Sequence, residues 1–133
     1  MKTYDYYGWT VSEEDVLPHN LKNKNIDITN EDIEEMSNII SKHILQKRVA
    51  VDAGCHYGFF TRFLSTQFNT VHAFDFDNDI YQCFETNMQK FDCSNVVRHP
   101  YGLGETNQSV ATNDWFARHG RRGPLGNHIN PNS

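Results

Sequence analysis

The sequence predicts an α/β fold built on a parallel sheet, and three observations carry that expectation. The run Arg48-Val49-Ala50-Val51-Asp52-Ala53 is nearly all apolar and rich in β-branched residues, the mark of a strand buried on both faces. It passes through a glycine loop into Phe59, Phe60, Phe63, Leu64 and Phe68, which recur at helical spacing. The same alternation then repeats. Thr70-Val71-His72-Ala73-Phe74 ends at Asp75, Ile80, Phe84, Met88 and Phe91 line one face of a second helix, and residues 95–99 form a third, shorter strand. Strands alternating with short helices imply right-handed crossovers and parallel pairing.

Taken in order, residues 1–28 read as an irregular arm. Tyr4-Asp5-Tyr6-Tyr7-Gly8-Trp9 is aromatic, and Leu17-Pro18-His19-Asn20 marks a turn. The arm either packs its aromatics on the core or lies as a flap over a ligand. Residues 30–47 read as a helix, with Ile33, Met36, Ile40 and Ile44 in one apolar stripe. Thr29 is the expected cap, with Asp32 three residues on. Acids load the first turns and Lys42, Lys47 and Arg48 the last, which suits the helix dipole. Asp77 or Asn78 caps the helix after the second strand. Pro100 limits the third strand. The pattern fades beyond residue 105, where the sequence allows only a short strand around residues 109–112 before a basic, turn-rich stretch at 118–124. The chain therefore divides into an arm (1–28), a sheet-forming unit (29–105) and an irregular segment (106–133).

Composition narrows the class. The 133 residues leave room for one domain. Nine Phe, six Tyr and two Trp argue for a packed core rather than a disordered chain. A formal net charge of -5 disfavours general nucleic-acid or anionic-membrane binding. No apolar run is long enough to span a membrane and the N-terminus lacks a signal-peptide core, so a soluble, cytoplasmic protein is expected. Three Cys without a CxxC argue against a disulfide framework or a zinc knuckle.

The chemistry concentrates in three loops. Asp52-Ala53-Gly54-Cys55-His56-Tyr57-Gly58 is a D-x-G-x-x-x-G loop between a buried strand and a helix. Gly54 can take a positive φ and lets backbone approach a ligand, and Gly58 lets the helix pack tightly on the strand. The helix N-terminus offers free N–H groups to an anion. Cys55 at that terminus would have a lowered thiol pKa. Asp75, 21 residues after Gly54, ends the second strand where an acid can accept from both hydroxyls of a ribose. Phe76 would flank the base. Tyr101-Gly102-Leu103-Gly104-Glu105 follows the third strand. In an open parallel sheet ligands sit beyond the carboxyl ends of the strands, so all three loops can line one pocket.

The stretch Val49–Gly58, then Phe74-Asp75-Phe76-Asp77, Asn87, and Asn95-Val96 through Gly102-Leu103-Gly104-Glu105 resembles the FkbM-type branch of class I S-adenosylmethionine-dependent methyltransferases. The resemblance covers about residues 5–105. It implies a Rossmann-like sheet with S-adenosylmethionine as cofactor. Asp52, Gly54, His56, Tyr57 and Gly58 would hold the methionine end, Asp75 the ribose, and Phe76, Gly102 and Leu103 the adenine. It further implies methyl transfer to a small hydroxyl acceptor, a carbohydrate being the leading choice. Asp75 and Phe76 stand where the family often has Glu and Pro. The family's fourth strand and everything after it have no counterpart beyond Glu105, so the sheet reads as truncated after its third strand. In the family's strand order, residues 49–53 would then form an apolar edge, which proteins normally avoid. A cover is expected, either the C-terminal segment or another chain, a second copy in a homodimer included. Two rival readings remain: a non-catalytic or partner-dependent nucleoside-binding module, and half of an NAD-type oxidoreductase.

Overall fold

The computed structural model describes residues 2–109, together with the backbone of 121–122 and 128–129. The expected parallel sheet is present: β3 (Val49–Ala53), β4 (Thr70–Phe74) and β5 (Val96–His99) run in one direction in the order β3-β4-β5. The connections are α3 (Phe59–Gln67) and a 3-10 turn (Asn78–Ile80) that leads into α4 (Tyr81–Lys90). This is a Rossmann-like α/β arrangement. The β6 (Arg121–Arg122) and β7 (His128–Ile129) ladder is antiparallel. The expected strand around 109–112 and the basic stretch at 118–124 lie largely outside the described residues.

The N-terminal arm is more regular than its sequence suggests. β1 (Thr3–Tyr6) and β2 (Trp9–Ser12) pair antiparallel around Tyr7-Gly8, both at positive φ (49° and 89°), and α1 (Val16–Asn23) follows. Two consecutive positive-φ residues make the turn whose twist matches a hairpin. Pro18 does not break the chain. It sits in the first turn of α1, where its missing N–H has no intrahelical acceptor, and the Asp15 side chain caps the helix by accepting from Leu17 N–H. The arm's aromatics point inward: Tyr6, Trp9 and Val11 are buried, and Trp9 stands edge-on to Phe59 with centroids 4.5 Å apart.

Helix α2 (Ile33–His43) begins later than expected. Asp32, at φ 63°, occupies its N-cap without a side-chain hydrogen bond, whereas Thr29 is engaged by the Asp27 carboxylate through its N–H and hydroxyl. The apolar stripe holds: Ile40 packs with Phe68 and Val71, flanked by Met36 and Ile44.

Alternation along the strands divides the sheet into two unlike faces. Ala50, Val71, Ala73 and Val96 face α2, α3 and α4 and join the two apolar clusters. Val49, Val51 and Val97 point the other way and are 57%, 58% and 45% exposed. The expectation that residues 49–53 are buried on both faces is therefore corrected. All three helices lie on one side, and β3 pairs with β4 alone among the described residues. No helix among them is long and apolar enough to cross a membrane.

Candidate functional site

Because the strands are parallel, their C-terminal ends share one rim. There the ladder between β3 and β4 runs one step further, as Gly54 N–H and Cys55 N–H both donate to the Phe74 carbonyl (2.7 and 3.1 Å). Gly54 sits at φ 81° with no atom within 4 Å of where a Cβ would stand, so the backbone is open to close approach. His56 turns the chain at φ 49° and donates its N–H to Asp75 Oδ2 at 2.9 Å. Asp77 N–H donates to Asp75 Oδ1, also at 2.9 Å. Asp75 is buried, so its carboxylate ties the first loop to the second. Asp77 is a cap, accepting from Asp79 N–H.

The third loop reaches the same rim through Gly102. A Cβ there would stand 2.9 Å from the Phe76 ring, so the glycine packs closely against that aromatic. Leu103 beside it is exposed. Gly54, His56, Asp75, Phe76 and Gly102 are thus joined through direct contacts at one edge of the sheet.

Other expected site residues stand apart from this group. Tyr57 is buried, with its hydroxyl donating to Asp15 Oδ2 and accepting from Ser12 N–H (3.2 Å each). It fastens the hairpin to the loop and offers a ligand no surface. Gly58, at φ 98°, packs not on a strand but on α4: a Cβ would meet Met88 Cε at 2.5 Å and Phe84 at 3.2 Å. Asp52 faces α3, where Thr61 Oγ1 donates to its Oδ2 at 2.5 Å. Burial pushes its carboxyl pKa up, the Thr61 hydrogen bond opposes this, and the Asp75 charge adds to the rise. Cys55 departs from its expectation. Burial dominates over the helix terminus, and with the Asp75 charge it drives the thiol pKa up to about 12, so the thiol stays protonated and is no nucleophile.

Sequence reasoning gave too little weight to Asn87. It is fully buried, its Oδ1 accepts from Thr10 N–H (2.7 Å), and its Nδ2 donates to the carbonyls of Thr10 and Tyr57 (3.0 Å each). One amide thus joins hairpin, glycine loop and α4. The signal was available: an Asn within the apolar face Phe84, Met88, Phe91 has no place unless its amide is satisfied. Among the described residues, no group of three or more His, Cys, Asp or Glu is placed to hold a metal ion.

No family model matches the chain, and no curated protein matches it. Solved structures match parts of it. SMU.1697c from Streptococcus mutans, described as a methyltransferase and solved in complex with SAH, is 26% identical over 53% of this chain and 40% of its own, with a TM-score of 0.47. TYW2 from M. jannaschii, in complex with AdoMet, is 19% identical over 74% of this chain and 42% of its own, at 0.49. An rRNA methylase from Streptococcus thermophilus is 24% identical over 50% of this chain and 41% of its own, at 0.44. The chain spans about 40% of the length of the structures it matches. Likenesses this partial leave its chemistry to the geometry of the rim.

Proposed function

We propose that this chain carries the S-adenosylmethionine-binding rim of a methyltransferase of the FkbM type, acting on the hydroxyl of a sugar or similar small acceptor. The supporting observation is the convergence of Gly54, Asp75 and the Phe76–Gly102 contact at one rim. The residues fit the cofactor in three respects. Gly54 leaves room for a ligand against the backbone. Asp75 spends one acceptor position on each oxygen in holding two N–H groups, and an ionised carboxylate has about four, so one remains on each for a ribose hydroxyl. Phe76, Gly102 and Leu103 supply an apolar border for a purine. Asp52, Tyr57 and Gly58 act behind this surface by holding the loop in shape.

When bound, the cofactor supplies an electrophilic methyl group on a sulfonium centre. The chain's part is to hold that group in line with an acceptor oxygen and to keep water away. The net charge of -5 favours a small neutral acceptor over a polyanion.

Calorimetry on the full chain with S-adenosylmethionine, S-adenosylhomocysteine and NAD tests the reading. The two methionine-derived ligands should bind and NAD should not. Asp75→Asn replaces one acceptor oxygen by a donor and should weaken S-adenosylhomocysteine by about 10-fold or more, the worth of a hydrogen bond to a charged group. Preferential binding of NAD would favour the oxidoreductase reading instead. Radiolabelled methyl transfer to a carbohydrate panel then separates an enzyme from a binding module.

A further inference from the structure

Arg98 lies on β5, on the face covered by helices, behind the rim just described. All three of its guanidinium nitrogens are buried without completing a hydrogen bond. The guanidinium carbon lies 4.6 Å from the Tyr81 ring centroid and 5.5 Å from that of Phe84. It lies close to the Cys55 thiol, a weak acceptor. Aromatic faces compensate only part of the cost of a buried cation. A buried lysine or histidine could shed its proton, but a guanidinium cannot, so it is relieved only by acceptors that reach it, an anion being the strongest of them.

The same side chain borders an open cavity, a groove of about 490 Å³ between α4 and β5 whose lining residues Gln89, Asp92 and Ser94 are exposed. That volume falls in the range of small-molecule sites. None of its lining residues belongs to the three rim loops. Phe84, Met88 and Val96 give it apolar walls, Ser94 a hydroxyl, and Glu85 and Asp92 two carboxylates. We propose that this cavity is a second ligand site, taking a small molecule with a single carboxylate or phosphate on a short apolar body, and that the Arg98 guanidinium turns from its aromatic slot into the cavity to grip that group. The fork of a guanidinium matches either anion through two parallel hydrogen bonds. The two lining carboxylates repel polyanions, which restricts the site to ligands with one anionic group.

The test titrates the full chain with inorganic phosphate and, separately, with butyrate, at constant ionic strength, followed by calorimetry and by the Arg98 Nε and Ser94 amide resonances. At least one anion should saturate and shift both resonances, and which one does so distinguishes the phosphate from the carboxylate source. Arg98→Met should weaken binding by about 10- to 100-fold. Arg98→Lys, which keeps charge without the fork, should also weaken it. Glu85→Gln should tighten binding several-fold and leaves the guanidinium untouched, so it reads the site even if the Arg98 variants fold poorly. Absence of saturation with both anions would overturn the proposal, as would binding indifferent to Arg98→Met in a folded variant or to Glu85→Gln.

Discussion

Gly58 holds a positive φ, and a Cβ there would stand 2.5 Å from the Met88 methyl and 3.2 Å from the Phe84 ring. Alanine there meets a left-handed penalty and a clash together. Gly58→Ala should lose about 3 kcal/mol of stability in urea denaturation, although part of the clash can relax because Met88 meets it with the end of a flexible side chain. Gly54 has open space around it, so Gly54→Ala should cost less stability and more ligand affinity, and an unchanged affinity would remove Gly54 from the site. Asp52 gives a pH prediction. Its folded-state pKa lies above the ordinary 3.8, so the native state binds the proton more tightly than the unfolded chain does. Its ionisation therefore costs stability as pH rises from about that value through the raised folded pKa. Asp52→Asn should be more stable than the parent at pH 7, and the gap should close as the pH falls toward 4. A gap that widens on acidification would refute the assignment. At this scale the sequence was readable where chemistry is local. The D-x-G-x-x-x-G spacing located Gly54, and the strand end located Asp75. That Asp75 also holds the His56 N–H, and that Tyr57 turns inward to Asp15, depend on contacts 19 and 42 residues apart along the chain, which no local pattern encodes.

Among the elements, the hairpin and α4 form one unit through Asn87. Asn87→Ala removes three hydrogen bonds and strands the Thr10 N–H, at an expected cost of about 3 kcal/mol. The ligand should also bind less tightly, because the Tyr57 end of the glycine loop loses its anchor. Thermal melts with and without S-adenosylhomocysteine would separate the two effects. The parallel strands and their helices were legible because periods of two and 3.6 residues sustained over several turns are strong signals. The hairpin was not. Tyr7-Gly8 lacks the Asn or Asp that usually announces its turn, and Tyr7 takes the positive φ in that place. Pro18 was read as a turn because its place in a first helical turn is visible only once Asp15 is known to cap.

At the level of the whole molecule, the sheet is covered on one face and open on the other among the described residues. Val49 and Val51, more than half exposed, lie on β3, a strand with β4 as its only described partner. An apolar strand in that position is a template for pairing. If another chain covers it, light scattering should give a mass above that of one chain, and Val51→Lys should lower it. A single-chain mass at all concentrations would leave residues beyond 109 as the only candidate cover. The central claim is that three loops at one rim of this sheet grip a single adenosine-bearing ligand. Titration of the ¹⁵N-labelled chain with S-adenosylhomocysteine tests it most directly. The amides of Gly54, His56 and Gly102 should shift together with one saturation curve, while Gly8 in the hairpin turn and Lys47, which precedes β3, stay still. Saturable shifts confined to the hairpin turn, or none at those three amides, would contradict it.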